Sequence, residues 1–211
     1  MALEERGGGR RVPRGGDALA TERDIPIERS ALLVIDVQDS FKATPRWQRR
    51  SSQDFERNVE RLVRAYRDAA LPVIFFLHTD GDEGFDTASP WFKLMDFLVP
   101  APGEPVLTKN TRNAFTSTDL QSRLEARGVR RLAIAGIQTE QCCETTARLA
   151  ADLGYDVDFV IDATLTFPIA DPATGEELTT DEILRRTAFV LRKRFARITA
   201  VDELVGELAP G

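Results

Sequence analysis

Histidine is nearly missing from this 211-residue chain, which carries only His78. One imidazole does not build the multi-histidine zinc site of many hydrolases. Cysteine is scarce as well. Cys142 and Cys143 are adjacent, a spacing that suits neither a disulfide framework nor a paired-cysteine zinc site. Basic residues are in deficit, 28 against 34 acidic, for a net charge of -6. Nucleic-acid binders carry a basic surface instead, so no nucleic-acid partner is expected. No run of about 18 apolar residues occurs, which predicts no membrane span. The first residues hold no apolar core of the kind a secretion signal needs, so the expected location is cytoplasmic. What remains is an ordinary globular composition, 42% hydrophobic and 29% charged, in a length that suits one domain.

Residues 1–24, MALEERGGGRRVPRGGDALATERD, are rich in Gly and Arg and poor in large apolar side chains. Such a segment buries too little surface to offset its ordering entropy, and it reads as a flexible N-terminal arm before a domain at 25–211. Beyond it, apolar runs alternate with helical patterns. ALLVIDV (31–37) and PVIFFLH (72–78) read as strands buried on both faces. Between them Phe55, Val59, Leu62, Val63 and Tyr66 recur at helical spacing. PVLTK (105–109) predicts a third strand, followed by a helix near 118–127. RLAIAGI (131–137), a helix from Glu140 to Leu153, and YDVDFVID (155–162) come next. A helix near 180–193 leads into ARITAVDEL, a sixth strand and a terminal helix. Alternation of this kind implies right-handed crossovers and a three-layer α/β/α domain around a mostly parallel sheet. The connection 79–104 is long and aromatic, a length that often covers a ligand site.

Ligands of an open parallel sheet bind beyond the carboxyl ends of its strands. Three residues at such ends bear on chemistry. Asp36 interrupts the apolar run VIDV, where an unpaired carboxylate costs several kcal/mol, so it needs a partner. Lys109 closes the third run, and Cys142 falls in the first turn of the helix that Thr139 is placed to cap. Free N–H groups and the helix dipole favour a thiolate there. Singly, each has a plain alternative: a loop-capping carboxylate, a solvated surface charge, a small buried hydrophobe. Cys143 fits the last of these. Together they supply a base, a cation and a thiol, a set able to run nucleophilic acyl transfer without histidine.

Three blocks, ALLVIDVQDSF (31–41), VLTKNTRNAFTSTDL (106–120) and LAIAGIQTEQCCETTARLAADLGY (132–155), carry a resemblance. In order and spacing the chain resembles the isochorismatase-like cysteine hydrolases, which include nicotinamidases and N-carbamoylsarcosine amidohydrolases. The likeness implies a six-stranded sheet in the order 3-2-1-4-5-6, with Asp36 beside Cys142 at the switch point. It implies a catalytic triad of Asp36, Lys109 and Cys142, a cis peptide before Gln138, and an oxyanion hole formed by the backbone N–H groups of Gln138 and Cys142. It also implies homo-oligomers, dimers or tetramers. The expected reaction is cysteine-dependent hydrolysis of a C–N bond in a small amide or related carbonyl substrate through a thioester. Vinyl ether cleavage of the isochorismatase type, and a non-catalytic oligomeric binding protein, are the alternatives. Gln38, Phe41, Trp91 and Phe167 are candidates to line the substrate pocket. The nicotinamidase branch has a metal site of an acid and histidines; the matching stretch HTDGDEGFDTASPW has only His78, so no metal and no cofactor are expected.

Overall fold

A computed structural model describes residues 25–82 and 84–209, so the 1–24 segment lies outside the described residues. The chain runs β1 (Ser30–Ile35), α1 (Phe55–Asp68), β2 (Val73–His78), β3 (Val106–Lys109), α2 (Leu120–Ala126) and β4 (Arg131–Ile137). A π-helical turn (Thr139–Cys143) opens α3 (Glu144–Asp152), and β5 (Asp156–Leu165) follows. A small hairpin of β6 (Ile169–Ala170) and β7 (Glu177–Leu178) precedes α4 (Thr180–Leu191), β8 (Arg197–Thr199) and α5 (Val201–Leu208).

The main sheet has the order β3-β2-β1-β4-β5-β8 and all its pairings are parallel. This is the expected order, with the sixth strand of the sheet being the eighth of the chain. Side-chain alternation along each strand divides the core in two. Leu32, Val34, Phe75 and Ala133 join Val59, Leu62 and Tyr66 of α1 and Leu204 of α5 on one face. Leu33, Ile35, Phe76 and Ile134 join Leu124 of α2 and Ala147 of α3 on the other. Each large apolar side chain so buried contributes about 1.5–3 kcal/mol, which is why every residue of β1, β2 and β4 is enclosed.

Three local features depart from the sequence reading. The hairpin β6–β7 has strands too short to show a period. The first turn after β4 is π-helical, with the amide of Cys143 bonded to the carbonyl of Gln138 at 3.2 Å. Thr139 is therefore no N-cap; its hydroxyl donates to Thr164 Oγ1 at 2.9 Å. Finally, β1 stops at Ile35 rather than running to residue 37. Asp36 has φ of 52°, a left-handed conformation that aspartate tolerates better than most residues. That turn takes its side chain out of the strand's alternation and over the sheet edge.

β4 reaches the same edge through a close passage beside β1. Gly136 has φ of 135°, and a Cβ there would lie 1.9 Å from the carbonyl oxygen of Ile35. No side chain fits. The glycine brings the strand ends level, so that Ile35 pairs with Gly136 just before Asp36 and Gln138.

Candidate active site

Four strand ends meet at one edge. His78 ends β2 opposite Lys109, which ends β3, and the amide of Asp36 bonds to the Phe76 carbonyl at 3.1 Å. At the centre stands the Lys109 ammonium. Its Nζ lies 2.7 Å from Asp36 Oδ2, 3.4 Å from Cys142 Sγ, 3.3 Å from His78 Nδ1 and 3.1 Å from the Thr111 carbonyl. Lys109 and Asp36 have side chains wholly withdrawn from solvent. The surface-charge alternative for Lys109 is thereby removed. Such a pair holds because each charge compensates the other; loss of one partner typically costs about 3–5 kcal/mol. Asp36 Oδ1 is fully enclosed and has no hydrogen-bond partner among the described residues.

Cys142 does not carry the thiolate expected of a helix N-terminus. Burial, the largest cause, and then the Asp36 charge push its thiol up to about 12, with Lys109 opposing them. The amides of the π turn are also partly engaged, those of Gln141 and Cys143 on the Gln138 carbonyl. A carboxylate oxygen of Asp36 lies within 4.8 Å of Sγ. Cys143 is buried in the core and its thiol is pushed well above the usual range, chiefly by burial.

His78 was not singled out by the sequence as a neighbour of the triad. Lys109 donates to Nδ1, and Nε2 stands 3.1 Å from Asp80 Oδ2. Burial and then the Lys109 charge lower the His78 pKa, and Arg112, whose Nη1 also touches Nε2, adds to this. The ring is a neutral spacer behind Lys109.

Asp36, His78 and Cys142 are also grouped closely enough to share a metal ion. The Lys109 ammonium, however, contacts all three and already occupies the position of a cation. At the other end of His78, Arg112 stands against Nε2 and pairs with Asp80 at 3.2 Å. These residues do not fit a resident metal. Dialysis against a strong chelator is expected to leave the reaction rate unchanged; activity lost and restored by zinc would show that the acids near His78 bind a metal after all.

The cavity in front of Cys142 holds about 140 Å³ and is bordered by Phe41, Arg46, Phe85, Arg112 and Gln138. The 79–104 segment lies over the site: Phe85 packs edge-on against Phe41 at 5.0 Å, and Leu94 bridges to Gln38. Of the residues expected to line the pocket, Phe41 borders the cavity, and Phe167 stacks behind it at 6.0 Å. Gln38 is enclosed, with its amide tied to Ser40 Oγ at 2.8 Å, the His78 carbonyl at 3.1 Å and the His78 amide at 2.7 Å. Its polar atoms are engaged by protein. Trp91, 45% exposed, is not among the residues bordering the cavity. Arg46, on the short 3-10 helix Pro45–Arg49, and Arg112, in a loop, belong to no periodic run and carried no signal in the sequence. The Ile137–Gln138 peptide is cis.

Fold and site together define a three-layer α/β enzyme with a thiol, a carboxylate and an ammonium at the carboxyl edge of its sheet. The chain belongs to the isochorismatase family: residues 30–203 match the Isochorismatase domain, and it is a hydrolase of that family. It is 35% identical over 162 residues to Nicotinamidase 3 of Arabidopsis thaliana, covering 69% of this chain and 78% of that protein. It is 36% identical over 141 residues to a streptothricin hydrolase of Streptomyces noursei, covering 66% of this chain and 50% of that one. A solved isochorismatase-family structure from Chromobacterium violaceum superposes with a TM-score of 0.80 at 28% identity, over 86% of this chain and 94% of the other. No helix among the described residues is long and apolar enough to cross a membrane.

Proposed function

We propose that the protein hydrolyses a C–N bond of a small amide or related carbonyl compound through a thioester on Cys142. The observation that carries this reading is the Lys109 ammonium, placed between Asp36 Oδ2 at 2.7 Å and Cys142 Sγ at 3.4 Å. Asp36 takes the thiol proton as Sγ attacks the carbonyl carbon. Lys109 holds the developing thiolate and keeps the carboxylate in place. The backbone N–H groups of Gln138 and Cys142 stabilise the oxyanion. Asp36 then returns the proton to the leaving nitrogen, the C–N bond breaks, and a thioester remains. Water, giving a proton to Asp36, attacks the thioester; the acid leaves and the proton returns to the Cys142 sulfur. Every group the cycle uses ends as it began.

Mass spectrometry of enzyme quenched during turnover is expected to show the acyl adduct on Cys142. Sustained turnover with no adduct under rapid quenching would instead favour vinyl ether cleavage, which requires no thiol nucleophile. Self-association belongs to the same proposal. Leu178 and Phe189 are exposed, 52% and 69%, and border one groove with Ile169 and Ile183, a patch that oligomers commonly cover. A monomeric mass by light scattering would overturn that part.

A further inference from the structure

Two guanidinium groups border the cavity in front of Cys142, those of Arg46 and Arg112. Arg112 is engaged: it pairs with Asp80 at 3.2 Å and touches His78 Nε2. Arg46 has neither an ion pair nor a hydrogen bond among the described residues. It lies instead over two aromatic rings, 5.0 Å from the Phe167 centroid and 5.5 Å from that of Phe41. Those rings are themselves stacked and rooted in the core. Burial against them lowers the Arg46 pKa, and Glu140 opposes this from outside ion-pair distance. The Glu140 carboxylate is otherwise occupied, accepting from Thr166 Oγ1 at 2.6 Å and from Gln138 Nε2 at 3.3 Å. Of the remaining acids at the rim, Asp80 is held by Arg112, and Asp82 is exposed.

A planar cation fixed on an aromatic platform, with its donors unused and facing a reaction cavity, has the chemistry of a carboxylate receptor. The fork of N–H groups matches a carboxylate in two parallel hydrogen bonds, and the rings limit its freedom before the ligand arrives. The small cavity limits the distance between that carboxylate and the scissile carbonyl. We propose that the substrate is a small amide carrying a carboxylate, which Arg46 holds as an ion pair over Phe41 and Phe167. This rests on the hydrolase reading for the word amide, and on Arg46 alone for the word carboxylate.

The test separates the two. Cys142 is alkylated by iodoacetamide in the presence of malonate, succinate or glutarate, none of which has an amide to hydrolyse, with butanamide as the neutral control. The best of the three diacids is expected to protect at far lower concentration than butanamide. Arg46→Gln should raise its half-protecting concentration roughly 10- to 100-fold, with Arg46→Lys between the two. Diacid protection unchanged by Arg46→Gln, in a variant with wild-type circular dichroism, overturns the proposal. In parallel, the ratio of kcat/KM for succinamate over butanamide should fall in Arg46→Gln. A carboxylate site that disappears with Arg46, in a protein that hydrolyses neither amide nor any homologue of succinamate, would support the anion site and overturn the amidase reading. Hydrolysis of both amides with a ratio indifferent to Arg46 would do the reverse.

Discussion

Cys142→Ala is expected to abolish turnover, by a factor of about 10⁴ or more, while Cys143→Ala keeps substantial activity. The two thiols are neighbours in sequence and have opposite surroundings. Cys142 borders the cavity and lies 3.4 Å from the Lys109 ammonium. Cys143 is fully enclosed and packs with the cluster that includes Ala147 and Ala150. Removing its sulfur trims a core contact, a stability effect on the order of 1 kcal/mol, and leaves the reacting groups in place. Circular dichroism should show both variants folded, and an amide assay by ammonia release reads the difference. Comparable activity in the two variants would contradict the assignment of the nucleophile.

Asp36→Asn and Lys109→Met should both lose turnover by a factor on the order of 10² or more, yet move the Cys142 thiol in opposite directions. Its pKa is raised first by burial and then by the Asp36 charge, while Lys109 lowers it. Asparagine removes a charge that disfavours the thiolate, so the pKa falls and alkylation by iodoacetamide at pH 8 becomes faster. Methionine removes a charge that favours the thiolate, so the pKa rises and alkylation slows. Activity and thiol reactivity thus separate in Asp36→Asn: the sulfur becomes easier to ionise and the enzyme loses its base. Each single variant leaves a buried charge without its partner and is expected to lose stability by about 3–5 kcal/mol. The double variant Asp36→Asn/Lys109→Met leaves neither charge and should regain much of that loss. Alkylation rates shifted in the same direction by both single variants would show that the charges around Cys142 are arranged differently.

The Lys109 ammonium touches the carboxylate, the imidazole and the sulfur together. At the far side of His78, Arg112 contacts Nε2 and pairs with Asp80.

Much of the fold is legible in the sequence because its signals are local. The residues Phe55, Val59, Leu62, Val63 and Tyr66 announce the buried face of α1 through their spacing, and all five are enclosed. The apolar runs of β1, β2 and β4 announce strands covered on both sides, and each is buried throughout. Chemistry-bearing residues at the ends of those runs follow from the rule that parallel sheets bind ligands at their carboxyl edge. Position along the chain was therefore enough to nominate Asp36, Lys109 and Cys142. Their geometry was another matter. Lys109 and Cys142 are 33 residues apart, and their approach depends on strand order, on register, and on Gly136 letting β4 pass the Ile35 carbonyl. The left-handed turn at Asp36 ended a strand that hydrophobicity alone extended to residue 37, because periodicity records burial and not φ. The protonated state of Cys142 reversed a helix-terminus expectation, since burial and a carboxylate from another strand outweigh a local dipole. Arg46 had no pattern to announce it: its platform is built from Phe41 and Phe167, which are far apart in the chain. The sequence by itself determined which side chains are buried and which strand ends carry reactive groups; only the tertiary structure decided which of those groups touch, because contact between distant residues is set by the closure of the whole sheet and not by any local spacing.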